Sequence, residues 1–123
     1  MLKFPGRCCV VYFVALLSAT AQNQTNWPQF RGPNGDGVAE TGRLPVRFGE
    51  GENVTWKTAL HGRAWSSPVI WGTQIWLTTA NKDAKELSVL CVDKDSGKIV
   101  RDEKLFVVEK PQYVHPFNSA ASP

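Results

Sequence analysis

Apolar residues fall into three regimes along this chain. The first is an unbroken apolar run over residues 8–17. The second, residues 22–52, is rich in Gly, Pro, Asn and Gln and has no sustained apolar period, so it reads as an extended, loop-like lead-in. From Asn53 onward the apolar, aromatic and β-branched residues come in short runs divided by turn residues, the signature of strands. These runs predict five strands: 54–60, 67–71, 74–80, 87–93 and 98–106. No segment carries an amphipathic helical period of useful length.

The breaks between runs set the topology. Gly72-Thr73 is a tight join between the second and third strands, and Asp93-Lys94-Asp95-Ser96-Gly97 is a turn in which Gly97 can take positive φ at no steric cost. Residues 81–86 form a longer polar loop between these hairpins. Residues 67–106 therefore predict a four-stranded antiparallel meander. In the run from Leu87, the residues Leu87, Val89 and Cys91 point one way while Leu90 and Val92 point the other, so the sheet is apolar on both faces and needs covering on both. The last strand, with Arg101, Asp102, Glu103 and Lys104, has the polarity of an outer edge.

The apolar run at the N-terminus has the flanks of a secretory signal peptide. Lys3 and Arg7 form its positive end, and the ten apolar residues are short of the roughly 20 that span a bilayer as a helix. Ala19-Thr20-Ala21 supplies the small-x-small cleavage pattern, which makes 1–21 the signal and Gln22 the mature N-terminus. Loss of the signal leaves 102 of the 123 residues, 12 basic against 11 acidic, a net charge of +1. That balance gives no basic patch for nucleic acid. Cys8 and Cys9 leave with the signal, and Cys91 remains alone, either buried in a core or free to pair between chains. After cleavage no membrane-spanning segment is expected, and the destination is periplasmic or extracellular.

Three pieces read together resemble a known repeat: Ser67-Pro68-Val69-Ile70-Trp71-Gly72, then Ile75-Trp76-Leu77, then Leu90-Cys91-Val92-Asp93-Lys94-Asp95-Ser96-Gly97-Lys98. They are similar to the blade repeat of the PQQ-like (pyrroloquinoline quinone repeat) β-propeller proteins, over about half the chain. Trp27-Pro28-Gln29-Phe30-Arg31-Gly32-Pro33-Asn34 looks like the mature N-terminus of exported bacterial members. Thr73 departs from the usual hairpin Asp, and Arg101 stands where a Trp usually closes the blade. Trp56-Lys57 resembles that closing Trp. Residues 54–60 are accordingly either the outer strand of the last blade, an N-terminal clasp, or an ordinary strand beside the first. Ala64-Trp65-Ser66-Ser67-Pro68 is echoed by Ser119-Ala120-Ala121-Ser122-Pro123, 55 residues later, where propeller blades recur at about 40 to 50 residues.

The resemblance implies an all-β chain, the N-terminal portion of a β-propeller of four-stranded antiparallel blades. Within residues 53–123 it places the first blade at 64–106 and the start of a second at 119–123, with the remaining blades needed for folding.

Candidate chemistry is sparse. His61 and His115 are the only histidines, and neither has Cys, Asp or Glu at ligand spacing, so no metal site is expected. The 93–97 stretch begins like a calcium loop but lacks the later acidic ligand, and so reads as a turn. Glycines at 32, 35 and 37 could cradle an anion, yet no strand and helix flank them. Asn23 and Asn53 head glycosylation sequons. The tryptophans could stack on a flat quinone, but Trp71 and Trp76 lie in predicted strands, Trp65 lies at the head of the expected first blade, and all three read as packing between blades. Quinoprotein dehydrogenases of the family set a vicinal disulfide against the cofactor; the only adjacent cysteines here are in the signal.

No catalytic, cofactor-binding or metal residue is therefore assigned. The expected role is a non-catalytic binding or scaffold module with protein partners at the cell envelope. Relatives by resemblance include a propeller that helps assemble outer-membrane proteins. The alternative is the N-terminal part of a PQQ-dependent dehydrogenase using the quinone and calcium, with its site in other blades. Exported material should begin at Gln22, and N-terminal sequencing that placed the start far from that residue would refute the signal-peptide reading.

Overall fold

A computed structural model describes residues 26–39 and 44–122. The signal at 1–21, the sequon at Asn23 and the last residue, Pro123, lie outside the described residues. Four strands form: β1 (Val69–Trp71), β2 (Gln74–Ala80), β3 (Glu86–Asp93) and β4 (Ile99–Val107). They make one antiparallel sheet in sequential order, and the described residues contain no helix. The expected meander is present, with boundaries within two residues of those read from the sequence.

Cross-strand pairing assigns the faces. Ile75 pairs with Val92, Leu77 with Leu90 and Thr79 with Ser88, which puts these residues together on one face. Trp76 pairs with Cys91, Thr78 with Val89 and Ala80 with Leu87 on the other. Leu77, Leu90 and Val92 are the buried core, and Trp56, Leu60, Ala64 and Ile75 pack against them.

That packing corrects one expectation: residues 54–60 form no strand. They are extended, but instead of pairing with a neighbour they lie across the first face of the sheet as a strap. Burial alternates along the segment, with Trp56, Thr58 and Leu60 half-buried and Thr55, Lys57 and Ala59 exposed. At one end the Trp56 indole N–H donates to the Lys94 carbonyl (2.8 Å), and the Thr58 hydroxyl donates to that of Gly97 (2.5 Å). At the other, Arg63 exchanges backbone hydrogen bonds with Ala80 at the far end of β2 (2.8 and 3.3 Å). From Trp56 to Arg63 an extended chain reaches about 24 Å, against about 20 Å for β2, so the strap can run the whole length of the sheet.

Beyond Arg63 the chain reaches β1 through an interruption of the ladder. There the Ser66 hydroxyl takes over the missing pairing, accepting from the Thr78 N–H (2.9 Å) and donating to the Thr78 carbonyl (3.1 Å). One side chain thus satisfies both backbone groups of Thr78 on that edge. Trp65 sits in this irregular stretch ahead of β1.

The lead-in also departs from its expected extended form. Residues 26–39 fold into a tight loop closed by Gly32 N–H to the Gln29 carbonyl (2.9 Å), Gly35 N–H to Gly32 (3.1 Å) and Gly37 N–H to Arg31 (2.9 Å). Trp27 exchanges backbone bonds with Ile70 (2.9 and 2.8 Å), and Asn26 Oδ1 accepts from the Gly72 N–H (2.8 Å), so the loop is moored to β1. Gly32 lies so close to the Trp27 ring that a Cβ there would fall 2.7 Å from it.

Gly97 and Gly35 both have positive φ, 70° and 73°, but a Cβ at Gly97 would meet the Trp56 ring at 2.5 Å while Gly35 faces open space. The backbone strain of a substitution is therefore shared, and the difference between the two sites isolates the clash. Gly97→Val should lower the unfolding free energy of the full chain by about 1–3 kcal/mol more than Gly35→Val, the usual cost of overpacking. Denaturant titration of both variants measures it, and equal stabilities would refute the strap's seat on this turn.

Candidate functional site

The strap covers one face of the sheet and leaves the other to the solvent and the chain's last described residues. On that open face Ala80 and Cys91 are buried, whereas Val69, Trp71, Trp76, Thr78, Leu87 and Val89 are not fully buried. Trp71 is 62% exposed. Residues 119–122 turn in over one part of the face, where the Thr78 hydroxyl donates to the Ala121 carbonyl (3.2 Å) and Ser119 and Ala121 are buried. Beside this contact an apolar groove of about 390 Å³ runs between Thr78, Leu87, Ala121, Leu105, Phe106 and Phe30. Phe30 and Phe106 are 67% and 62% exposed, so their rings are presented rather than buried.

The outer edge of the sheet has a different character. All nine residues of β4 are exposed, and the four charges from Arg101 to Lys104 occupy its middle. Its pairing with β3 shifts register between Leu87 and Ser88 and again between Cys91 and Val92, which leaves Leu105 and Val100 unpaired. Bulges and charges together discourage another strand from adding to an edge. Of the unpaired surfaces of this sheet, the open face is the one suited to docking.

Titratable groups singled out in the sequence are engaged locally. His61 Nε2 lies 3.0 Å from Asp102 Oδ1 on the strapped face, both side chains half-exposed. The His61 carbonyl accepts from the Thr79 hydroxyl (2.6 Å). His115 has separate company: its Nδ1 accepts from the Phe117 N–H (3.2 Å) and its ring lies 5.4 Å from that of Phe117. Among the described residues no three of His, Cys, Asp and Glu gather as a metal-ligand group. The glycine-rich loop directs the N–H groups of residues 32, 35 and 37 inward to its own carbonyls, so those amides are unavailable to an anion. Asn53 is exposed at φ 57°, with Nδ2 donating to the Arg47 carbonyl (3.0 Å).

Cys91 is fully buried, and desolvation pushes its thiol pKa up, against the smaller opposing pull of the Arg101 cation. A buried thiol held in its neutral form is a poor nucleophile, so the residue is packing rather than chemistry. Asp93 spends its carboxylate on the turn. Oδ1 accepts from the Ser96 hydroxyl (2.6 Å) and the Ser96 N–H (2.8 Å), and these bonds, the hydroxyl's first, hold its pKa below the ordinary carboxylate value.

Searches against protein-family models, curated proteins and solved structures find no match to this chain.

Because the Asp93 pKa is lowered on folding, its contribution to stability is complete above the unfolded carboxylate pKa of about 3.9 and is lost as pH falls through the lower folded value. Asp93→Asn should therefore lower the melting temperature at pH 7, by a margin that shrinks as pH falls below the unfolded value of about 3.9 towards strong acid. A melting curve series in which the wild-type advantage stays constant across that range would contradict this role.

Proposed function

We propose that this chain is an exported, non-catalytic binding and scaffold module that works by face-to-face stacking of β-sheets, as one blade of a β-propeller beside further blades. The observation that carries this reading is the asymmetry of the sheet. One face is closed by the chain's own strap, whereas the other is apolar, holds Trp71 and Trp76, and is only partly covered. Stacked sheets pack about 10 Å apart through interdigitating side chains, and a two-sided apolar sheet requires such a neighbour.

The short repeat supports the same arrangement. Ser66 and Ala121 occupy equivalent places in the two copies of the repeat, and both meet Thr78. Ser66 reaches its backbone from the edge of the sheet, and Ala121 reaches its hydroxyl across the open face. A second sheet that began at residues 119–123 would start against the surface that needs covering. Bulges and charge on β4 add to this by favouring stacking over strand addition. Export by the 1–21 signal places the module in the periplasm or outside the cell, with proteins as partners.

The exported chain alone should not persist as a stable monomer. Burial of apolar surface contributes about 25 cal/mol per Å² against a backbone ordering cost of about 1 to 2 kcal/mol per residue, and the open face of this sheet leaves Trp71, Phe30 and Phe106 exposed. Size-exclusion chromatography should show self-association, relieved by Val89→Lys on the open face and unaffected by Asp102→Lys on β4, whose side chain shares the strapped face with Leu90. A wild-type monomer with a cooperative unfolding transition would overturn the stacking reading. Dye reduction with alcohols or sugars after addition of the quinone and calcium would overturn its non-catalytic part.

A further inference from the structure

A second cleft lies at the opposite end of β3 from the Asp93 turn, between the β2–β3 loop and the segment 112–120. Its volume is about 180 Å³, and Arg63, Asn81, Lys82, Asp83, Gln112 and Asn118 line it. Its chemistry is the reverse of the apolar groove's. Two cations face it against one carboxylate, and among the described residues neither Arg63 nor Lys82 takes part in an ion pair.

The two asparagines are oriented by bonds that leave no choice of flip. Asn81 Oδ1 accepts from the backbone N–H groups of Lys85 (2.9 Å) and Glu86 (3.2 Å). Asn118 Oδ1 accepts from the Ser119 N–H (2.9 Å) and from the Ser122 hydroxyl. A backbone N–H can only donate, so these contacts identify the oxygen of each amide and leave its NH₂ as the free end. Among the described residues neither Nδ2 has an acceptor. The residues that carry a guanidinium, an ammonium and these two amide NH₂ groups thus line one small cleft together with Asp83 and Gln112, and each of those four groups is a donor.

We propose that this cleft binds an organic carboxylate, taken by the Arg63 fork and the Lys82 ammonium with the Nδ2 groups of Asn81 and Asn118. Charge selects carboxylate over phosphate. With Asp83 present the lining carries a net charge of +1, which matches a carboxylate, whereas a phosphate monoester at about −1.5 to −2 would be under-neutralised. Size agrees, since the volume equals that of about six waters, room for a carboxylate on a short carbon chain. A free organic acid and the acidic side chain of a partner protein share this chemistry, and the test has an arm for each. The site stands independently of the open face and of sheet stacking.

Arginine modification by phenylglyoxal, read by peptide mass spectrometry on the full chain, tests the proposal in monomer or self-associated material alike. The probes are propionate for the free acid, a blocked Gly-Glu-Gly tripeptide for the side chain, propionamide as the neutral control and inorganic phosphate. Propionate or the tripeptide at ten times its dissociation constant should slow Arg63 modification about tenfold and leave exposed Arg101 unchanged. Lys82→Gln should raise the half-protecting concentration about tenfold, as expected for loss of one charge-assisted hydrogen bond. Protection by propionate assigns a free acid, and protection by the tripeptide alone assigns a partner's side chain; either supports the site. Equal protection by propionamide or by phosphate, parallel protection of Arg101, no protection, or an Arg63 unreactive without any probe would overturn it.

Discussion

Trp56 rests on Gly97, and the sheet takes its two-sidedness from that contact. The absence of a Cβ at Gly97 lets the indole approach the β3–β4 turn, and the indole N–H then reaches the Lys94 carbonyl. Thr58 adds a second bond to the Gly97 carbonyl. With its start held there and Arg63 paired to Ala80 at the far end of β2, the intervening chain lies over Leu77, Leu90 and Val92 and buries them. The turn itself is braced by Asp93 and Ser96. A four-stranded sheet with no helix against it has few other ways to close a face, so the core depends on this seat.

Closing one face defines the other. The strap uses the chain's nearest apolar segment, and among the described residues after β4 it is 119–122 that turn in over the open side. Aromatic residues on that side, Trp71, Trp76, Phe30 and Phe106, remain within reach of a partner. Polar and apolar surfaces are separated in space: the groove on the open face is lined mainly by hydrocarbon, while the cleft at the β2–β3 loop is lined mainly by charged and amide side chains. A module of this kind can stack its face on a neighbouring sheet and still offer the cleft to a different ligand.

The strands and their order were legible because each depends on local chemistry. Short β-branched and aromatic runs mark β2 and β3, Gly72 and Gly97 permit tight turns, and the charged middle of β4 marks an edge. The cleft was not legible, because its residues come from 63, from 81–83 and from 112–118, and no spacing rule links them. Its one sequence signal was the cluster of Asn and Lys after β2, which reads equally well as a polar surface loop.

Residues 54–60 and 26–39 mark where local reading ends. Alternating burial along 54–60 follows from an extended backbone, and the sequence specifies that much. Whether such a segment joins a ladder or lies across a face depends on what its N–H and C=O groups meet, which is a matter of the whole fold. Glycine at 32, 35 and 37 allows tight turning but does not require it; closure of that loop needed Trp27 moored to β1. The sequence alone therefore determined an all-β meander, its turns and its polar edge, since these rest on φ preferences and side-chain alternation between neighbours. Only the tertiary structure decided which face is covered, what covers it and which distant donors share a cleft, because those contacts join residues whose separation along the chain carries no periodic signal.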